Sequence, residues 1–247
     1  MDGLANCTKL TSLNLSSGGS LQNVDSLANC TKLTSLNLSY CGSLQNVDGL
    51  ANRTKLTSLD LGYSDFTTIS GGLDLIPNLT NLNLYECGLI QNLDNLNNCT
   101  KLTTLNLSRY TSYYDDKKDV LQNINGLKNL TCLTSLELAN RDSLQTVDAL
   151  ENLTNLTSLD LCDCNSLQNA DGLANLTNLT TLNISSCKSL QNVDVLANLP
   201  NLTSLNLGFC KPLQNLDGLA NLTNLTSLNL GYSYFTTINL NNCTKLT

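Results

Sequence analysis

The stretch LTSLDLCDCNSLQNADGLANLTN, Leu156 to Asn178, decides the fold, because the chain repeats it. Segments reading LTSLNL or a close variant begin at Leu10, Leu33, Leu56, Leu79, Leu102, Leu133, Leu156, Leu179, Leu202 and Leu225. Every step is 23 residues except Leu102 to Leu133, which is 31. A fixed period of this length marks stacked supersecondary units, none of which can bury its apolar face alone. Within Ser12-Leu13-Asn14-Leu15-Ser16, alternation turns both leucines to one face and the polar residues to the other. Such a strand is too short to stand by itself, so strands one period apart are expected to pair. The later apolar residues Leu21, Val24, Leu27 and Cys30 need a second surface. A coil meets both demands, with strands in a parallel sheet on the inner curve and a return segment outside. At ~4.8 Å per strand, ten units span about 50 Å. Stability is then close to a sum over nearest neighbours.

The pattern LxxLxLxxCxxLxxVxxLxxLxx resembles the leucine-rich-repeat family over the whole chain, in ten strand-bearing units. The phrase LANLTNLT, Leu173 to Thr180 and nearly again from Leu219 to Thr226, is similar to the convex-side phrase of internalin-type repeats, which are usually one residue shorter. The Cys-x-x-Leu spacing is similar to cysteine-bearing repeats of immune-receptor type. The resemblance implies an α/β solenoid over residues 1–247, with a parallel sheet on the concave side and short helical or 3₁₀ turns on the convex side.

Composition narrows the function. The 247 residues are 41% hydrophobic, enough for a core, and the net charge is −7 with a pI near 4.4. That balance argues against nucleic acid and anionic membrane surfaces, both of which reward clustered Lys and Arg. No apolar run approaches the 18 or so residues of a membrane helix. The start MDGLANCTKL has neither the basic nor the hydrophobic region of a signal peptide. The expectation is a cytoplasmic chain, or a secreted or surface one if it is a fragment of something longer. With no histidine, His-based triads, His metal sites and the usual proton shuttle are missing. The scattered glycines form no phosphate loop. Neither an enzyme, a cofactor nor a metal site is expected.

Eleven cysteines suggest a disulfide scaffold until their positions are read. Cys41, Cys87, Cys164, Cys187 and Cys210 each lie three residues after the last strand leucine, where the family carries an inward Asn or Cys that bonds the turn backbone. Cys7, Cys30, Cys99 and Cys243 replace the convex-side leucine seen at Leu153, Leu176 and Leu222. Nine of the eleven thus have a packing explanation as small hydrophobes, and a reduced state is expected. Cys162, on the polar strand face, is the expected reactive thiol. Arg53 stands where a buried Leu or Cys is due; its stem is expected to pack while its charge reaches out. Carboxylates also form a column: Asp25, Asp48, Asp94, Asp148, Asp171, Asp194 and Asp217. A calcium ridge would share that pattern, but Asp before Gly-Leu or Ala-Leu reads as the N-cap of the short turn that follows.

Solenoids bind through their extended concave surface, yet that face is monotonous here. Between the strand leucines stand Asn14, Asn37, Asp60, Asn83, Asn106, Glu137, Asp160, Asn183, Asn206 and Asn229. The variable column lies two residues after the strand and runs Ser17, Tyr40, Tyr63, Glu86, Arg109, Asn140, Asp163, Ser186, Phe209, Tyr232. Tyr40 and Tyr63, joined by Tyr85, and Phe209 with Tyr232 form aromatic groups near the two ends. Such amphipathic rings are suited to anchor a partner, or to pack the edge.

The 31-residue step has the same destination. After Leu107 the next buried leucine is due at position 113, but Leu121 fills the role, so eight residues within 109–120 loop out. Tyr110, Tyr113 and Tyr114, followed by Asp115, Asp116, Lys117, Lys118 and Asp119, cannot enter the core without breaking the apolar stripe. Insertions in repeat arrays map to one face and often to the binding face. No capping unit is evident at either end, so end-to-end self-association is a further expectation. The reading is a protein-interaction module whose partner meets the concave face and its rim. The alternative is a structural spacer without a site of its own.

Overall fold

The computed structural model describes residues 2–67, 72–110 and 118–247. Ten three-residue strands pair in parallel, each with the next repeat: β1 (Ser12–Asn14), β2 (Ser35–Asn37), β3 (Ser58–Asp60), β4 (Asn81–Asn83), β5 (Thr104–Asn106), β6 (Ser135–Glu137), β7 (Ser158–Asp160), β8 (Thr181–Asn183), β9 (Ser204–Asn206) and β11 (Ser227–Asn229). The central leucines face one another in register, Leu13 to Leu36 and so on to Leu205 and Leu228. The long step changes nothing in the sheet, where Leu105 still faces Leu136. Register is this firm because a one-residue slip would turn every strand leucine to the polar face. A second, two-stranded pairing joins β10 (Asn215–Leu216) to β12 (Thr237–Ile238).

Two ladders extend the pairing beyond the strands. On the entry side each threonine Oγ1 donates to the threonine carbonyl one repeat earlier, from Thr34 to Thr11 through Thr226 to Thr203, in nine bonds of 2.9–3.2 Å. On the exit side the backbone N–H three residues past the strand donates to the next repeat, as in Tyr40 to Gly62 (2.9 Å) and Ser186 to Gly208 (2.8 Å).

The return segments are 3₁₀ turns, and no α-helix occurs among the described residues. Their leucines, among them Leu27, Leu50, Leu96, Leu127, Leu150, Leu173, Leu196 and Leu219, are buried and complete the core with the strand leucines. Such single turns have poor hydrogen-bond geometry and hold because the repeat stack buries their apolar face. Close stacking explains Gly172: a Cβ there would lie 2.1 Å from the Val147 carbonyl oxygen.

The expected N-cap role of the aspartates is corrected. The cap position belongs to an apolar residue, such as Val24, Val47 or Ala170, and makes no side-chain cap bond. Asp25, Asp48 and Asp171 are the first residues of their turns, and their own N–H groups donate to the side chains of Asn23, Asn46 and Asn169. The Asn two residues earlier does the local fixing, while the carboxylates favour the positive end of the turn.

Candidate functional site: the rim and the insertion

The sheet face is polar because its asparagines are occupied. In nine of the ten strands the Asn or Asp Oδ1 accepts the N–H two residues on, at 2.8–3.3 Å. Glu137 is the exception, and there the Ala139 N–H donates to Ser108 Oγ instead. These bonds bend the chain out of the strand in the manner of an Asx turn. The residue that follows lands in the left-handed region, where φ is 57–62° at Ser17, Tyr40, Tyr63, Glu86, Asn140, Asp163, Ser186, Phe209 and Tyr232.

Large rings at such φ values are uncommon, because Cβ crowds the backbone. Yet Tyr40, Tyr63, Phe209 and Tyr232 are 52%, 40%, 48% and 77% exposed. Tyr40 and Tyr63 stack with centroids 4.0 Å apart, and Tyr85 meets Tyr63 edge-on at 5.3 Å. At the other end Phe209 and Tyr232 stack at 4.6 Å, and Lys211 Nζ lies 5.9 Å from the Tyr234 centroid. Tyr234 belongs with this second group, though its column offered no signal. The Tyr40 hydroxyl is raised above its usual value by its hydrogen bond with Tyr63, then by slight burial and the charges of Asp60 and Glu86. Burial first, then Glu86, raises Tyr85.

Arg109 departs from the expected rim position. Its side chain is buried, it has no left-handed φ, and its guanidinium lies over Gly88, where a Cβ would come within 2.7 Å of Nε. The crowding of the turn and the glycine below it draw the arginine inward. Tyr110 points out instead, 64% exposed, and its N–H donates to Glu86 Oε1. Lys118 is exposed. Tyr113, Tyr114, Asp115, Asp116 and Lys117 lie outside the described residues.

The far end of the insertion is tied into the core. In most repeats a thiol or hydroxyl three residues past the last strand leucine donates to the strand-end carbonyl one repeat back: Cys41 to Leu15, Cys87 to Leu61, Cys164 to Leu138, Cys187 to Leu161, Cys210 to Ile184 and Ser233 to Leu207, at 3.0–3.4 Å. Repeat six carries Arg141 in this slot, with Nε donating to the Leu107 carbonyl at 2.6 Å. Its Nη1 reaches Asp119 Oδ1 at 2.9 Å, and both side chains are fully buried. Asp119 Oδ2 also accepts the Ser143 N–H at 3.0 Å, and its carbonyl accepts the Ser143 hydroxyl at 2.7 Å. Burial pushes the Arg141 guanidinium below its ordinary value, while Asp119 opposes the shift. Position 141 was readable in the column as a charge where thiols otherwise stand. Its partner was hidden, because Asp119 looks like one more residue of an exposed charge run.

The thiols are all free. Cys162 is not the reactive one: it is half-buried, donates to Asp163 Oδ2, accepts from Ser185 Oγ, and is pushed up to about 11, chiefly by burial. Cys132 is the exposed cysteine. Arg53 is half-buried, and its guanidinium donates to the Ala51 and Ala28 carbonyls.

This geometry has counterparts among known proteins. The profile described as R13L1/DRL21 LRRs matches residues 95–187, and one described as Leucine Rich repeat matches 29–51. The fold is a leucine-rich-repeat solenoid, and its repeats are similar to those of internalins. An internalin (inlF) from Listeria monocytogenes is similar over 100% of this chain and 69% of its own length, at 28% identity and a TM-score of 0.80. The leucine-rich-repeat domain of the type III effector XCV3220 (XopL) covers 92% of this chain and 79% of its own, at 20% identity and a TM-score of 0.71. Mouse RP105, in a complex with MD-1, covers 91% of this chain over 43% of that one, at 22% identity and a TM-score of 0.61. No curated protein matches the sequence to a significant degree. Among the described residues no helix is long and apolar enough to cross a membrane.

Proposed function

We propose that this protein is a protein-interaction module whose partner is held at the rim of the sheet rather than on its polar face. The observation that carries this is the placement of four large aromatic rings at left-handed backbone positions, exposed and stacked across neighbouring repeats. Each such position costs of order 1–2 kcal/mol relative to a glycine, and strain of this kind concentrates at functional sites. Rigid aromatics of this sort dominate binding hot spots. Tyr110, beside Glu86, extends the same rim. The solved structure of RP105 with MD-1 is a precedent for a partnered solenoid of this kind. The acidic balance disfavours a polyanionic partner.

The test compares capture from cell extract by the intact chain and by a variant with Tyr40, Tyr63, Phe209 and Tyr232 all changed to Asn. Asn140 shows that Asn fits this backbone, so the variant keeps the fold, as circular dichroism would check. A partner identified with the first bait and lost with the second, then reconstituted from purified components, supports the rim. Identical capture by both baits overturns it. A second reading, a spacer, is favoured by the internally occupied asparagines, which leave the sheet face little to offer. It expects indifference to the rim and sensitivity to repeat number.

A further inference from the structure

The two aromatic groups differ in their electrostatics, and the difference says what each lacks. The second group supplies its own cation: Lys211 sits within cation–π range of the Tyr234 ring. The first group has three rings in one platform, Tyr40 on Tyr63 and Tyr85 edge-on. No cation–π contact to these rings occurs among the described residues. The charged groups that act on its hydroxyls are carboxylates, Asp60 and Glu86. Asp60 is held by the Gly62 N–H and Asn83 Nδ2, both at 3.0 Å, and Glu86 by the Tyr110 N–H, so both carboxylates are fixed in place beside the rings. Ring faces attract cations through their quadrupole, and adjacent carboxylates add to the field.

We infer that the Tyr40–Tyr63–Tyr85 platform is a subsite for a cationic side chain, an arginine above all, presented by a basic segment of a protein partner. The inference rests on the rim reading above. Arginine fits better than lysine because its planar guanidinium stacks on an aromatic face while its edge donates to a carboxylate. The guanidinium plane lies along the outer ring face, and an N–H of its edge reaches toward Glu86.

The experiment titrates the full chain with acetyl-(Gly-Arg)₃-amide and with the same peptide carrying citrulline, which keeps the shape and removes the charge. Maltohexaose serves as a neutral ligand that also stacks on aromatic rings. The expected result is binding of the arginine peptide at least roughly fivefold tighter than the citrulline peptide, as a cation–π contact supported by a carboxylate implies. Tyr63→Asn leaves the net charge unchanged and is expected to abolish that preference. Glu86→Gln keeps an acceptor for Tyr110 and is expected to weaken it, and Tyr232→Asn to leave it intact. Equal binding of the two peptides, tighter binding of maltohexaose, or an undiminished preference in Tyr63→Asn would each overturn the inference, the last by showing only diffuse attraction to an acidic protein. None of these outcomes depends on capture by the four-site variant, so a failure here and a failure of the rim reading are distinguishable.

Discussion

Repeats seven to nine and the junction between repeats five and six fill the same internal slot in opposite ways. Cys164, Cys187 and Cys210 each place a small neutral thiol under the exit turn, where it packs as a hydrophobe and donates to one carbonyl. Arg141 reaches the equivalent carbonyl and then continues to Asp119 at the end of the insertion. The thiol slot asks nothing of the neighbouring repeat beyond its backbone. The arginine slot demands a specific carboxylate, 22 residues earlier in sequence and completely buried. A regular repeat is therefore self-sufficient, whereas the broken one depends on a buried ion pair. Even that contact is incomplete, since Arg141 Nη2 is buried with no hydrogen-bond partner among the described residues.

The largest expected effect follows from that dependence. Asp119→Ala strands a buried guanidinium and removes the acceptor for Ser143, and is expected to cost about 3–5 kcal/mol. The combined Asp119→Leu, Arg141→Met change removes the charge on both sides and is expected to recover at least half of that loss. Urea denaturation of Asp119→Leu, Arg141→Met and their double completes the cycle. If Asp119→Ala costs no more than a surface change, the insertion is not tied down by this pair and the contrast with the thiol repeats collapses.

The thiol repeats make an intermediate prediction. Cys187→Ala is expected to cost about 1–2 kcal/mol, within the range for a small buried truncation. Cys187→Ser should cost less, because Ser233 fills the same slot with a 3.0 Å bond to Leu207. Burial also raises these thiols, Cys87 to about 12 and Cys99 to about 11. Unfolded cysteines ionise near 9.0, so the folded chain binds more protons above that pH. The stability these neutral thiols contribute is complete below pH 9 and declines as pH rises toward 11 and 12. Melting at pH 7 and pH 10.5 reads the decline, and Cys187→Ser should flatten it. At pH 8 a maleimide should label Cys132 well before Cys162, for the same reason.

Most of the architecture was legible because it depends on periodicity. The strand leucines, the Cys column and the resumption of the stripe at Leu121 all follow from counting, and from Leu36 to Cys210 each is buried where counting puts it, while the leucines of the two end strands are half-buried. The misreadings share another character. Asp25 looked like a cap because Asp often is one, but in a 3₁₀ turn stacked on its neighbour the Asx bond comes from Asn23. Arg109 looked exposed because its column is, but Gly88 opens space beneath it. Cys162 looked reactive because of its face, but Asp163 and Ser185 enclose it. In each case a side chain's fate is set by a residue one repeat away or by local turn geometry, which alternation and column position do not report. The rim aromatics fall between: their column was legible, but their left-handed backbone was not, since Tyr and Phe are poor markers for it.

The smallest expected effect separates the ordinary exit turn from the one at the insertion. Ser186 sits at φ 59° in a regular repeat. Ser186→Gly relieves a backbone cost of about 1–2 kcal/mol and adds about 0.5–1 kcal/mol of unfolded-chain entropy. The net expectation is a gain of roughly 0.5–1 kcal/mol, visible as a rise in melting temperature. Arg109 occupies the same column without a positive φ, and its buried side chain fills the space over Gly88. Arg109→Gly therefore has no strain to relieve and opens a hole, so it should destabilise. Opposite signs at the two positions would show that the left-handed turn is a strain carried by the regular repeats and escaped at the broken one. Gains at both would mean that Arg109 contributes no packing.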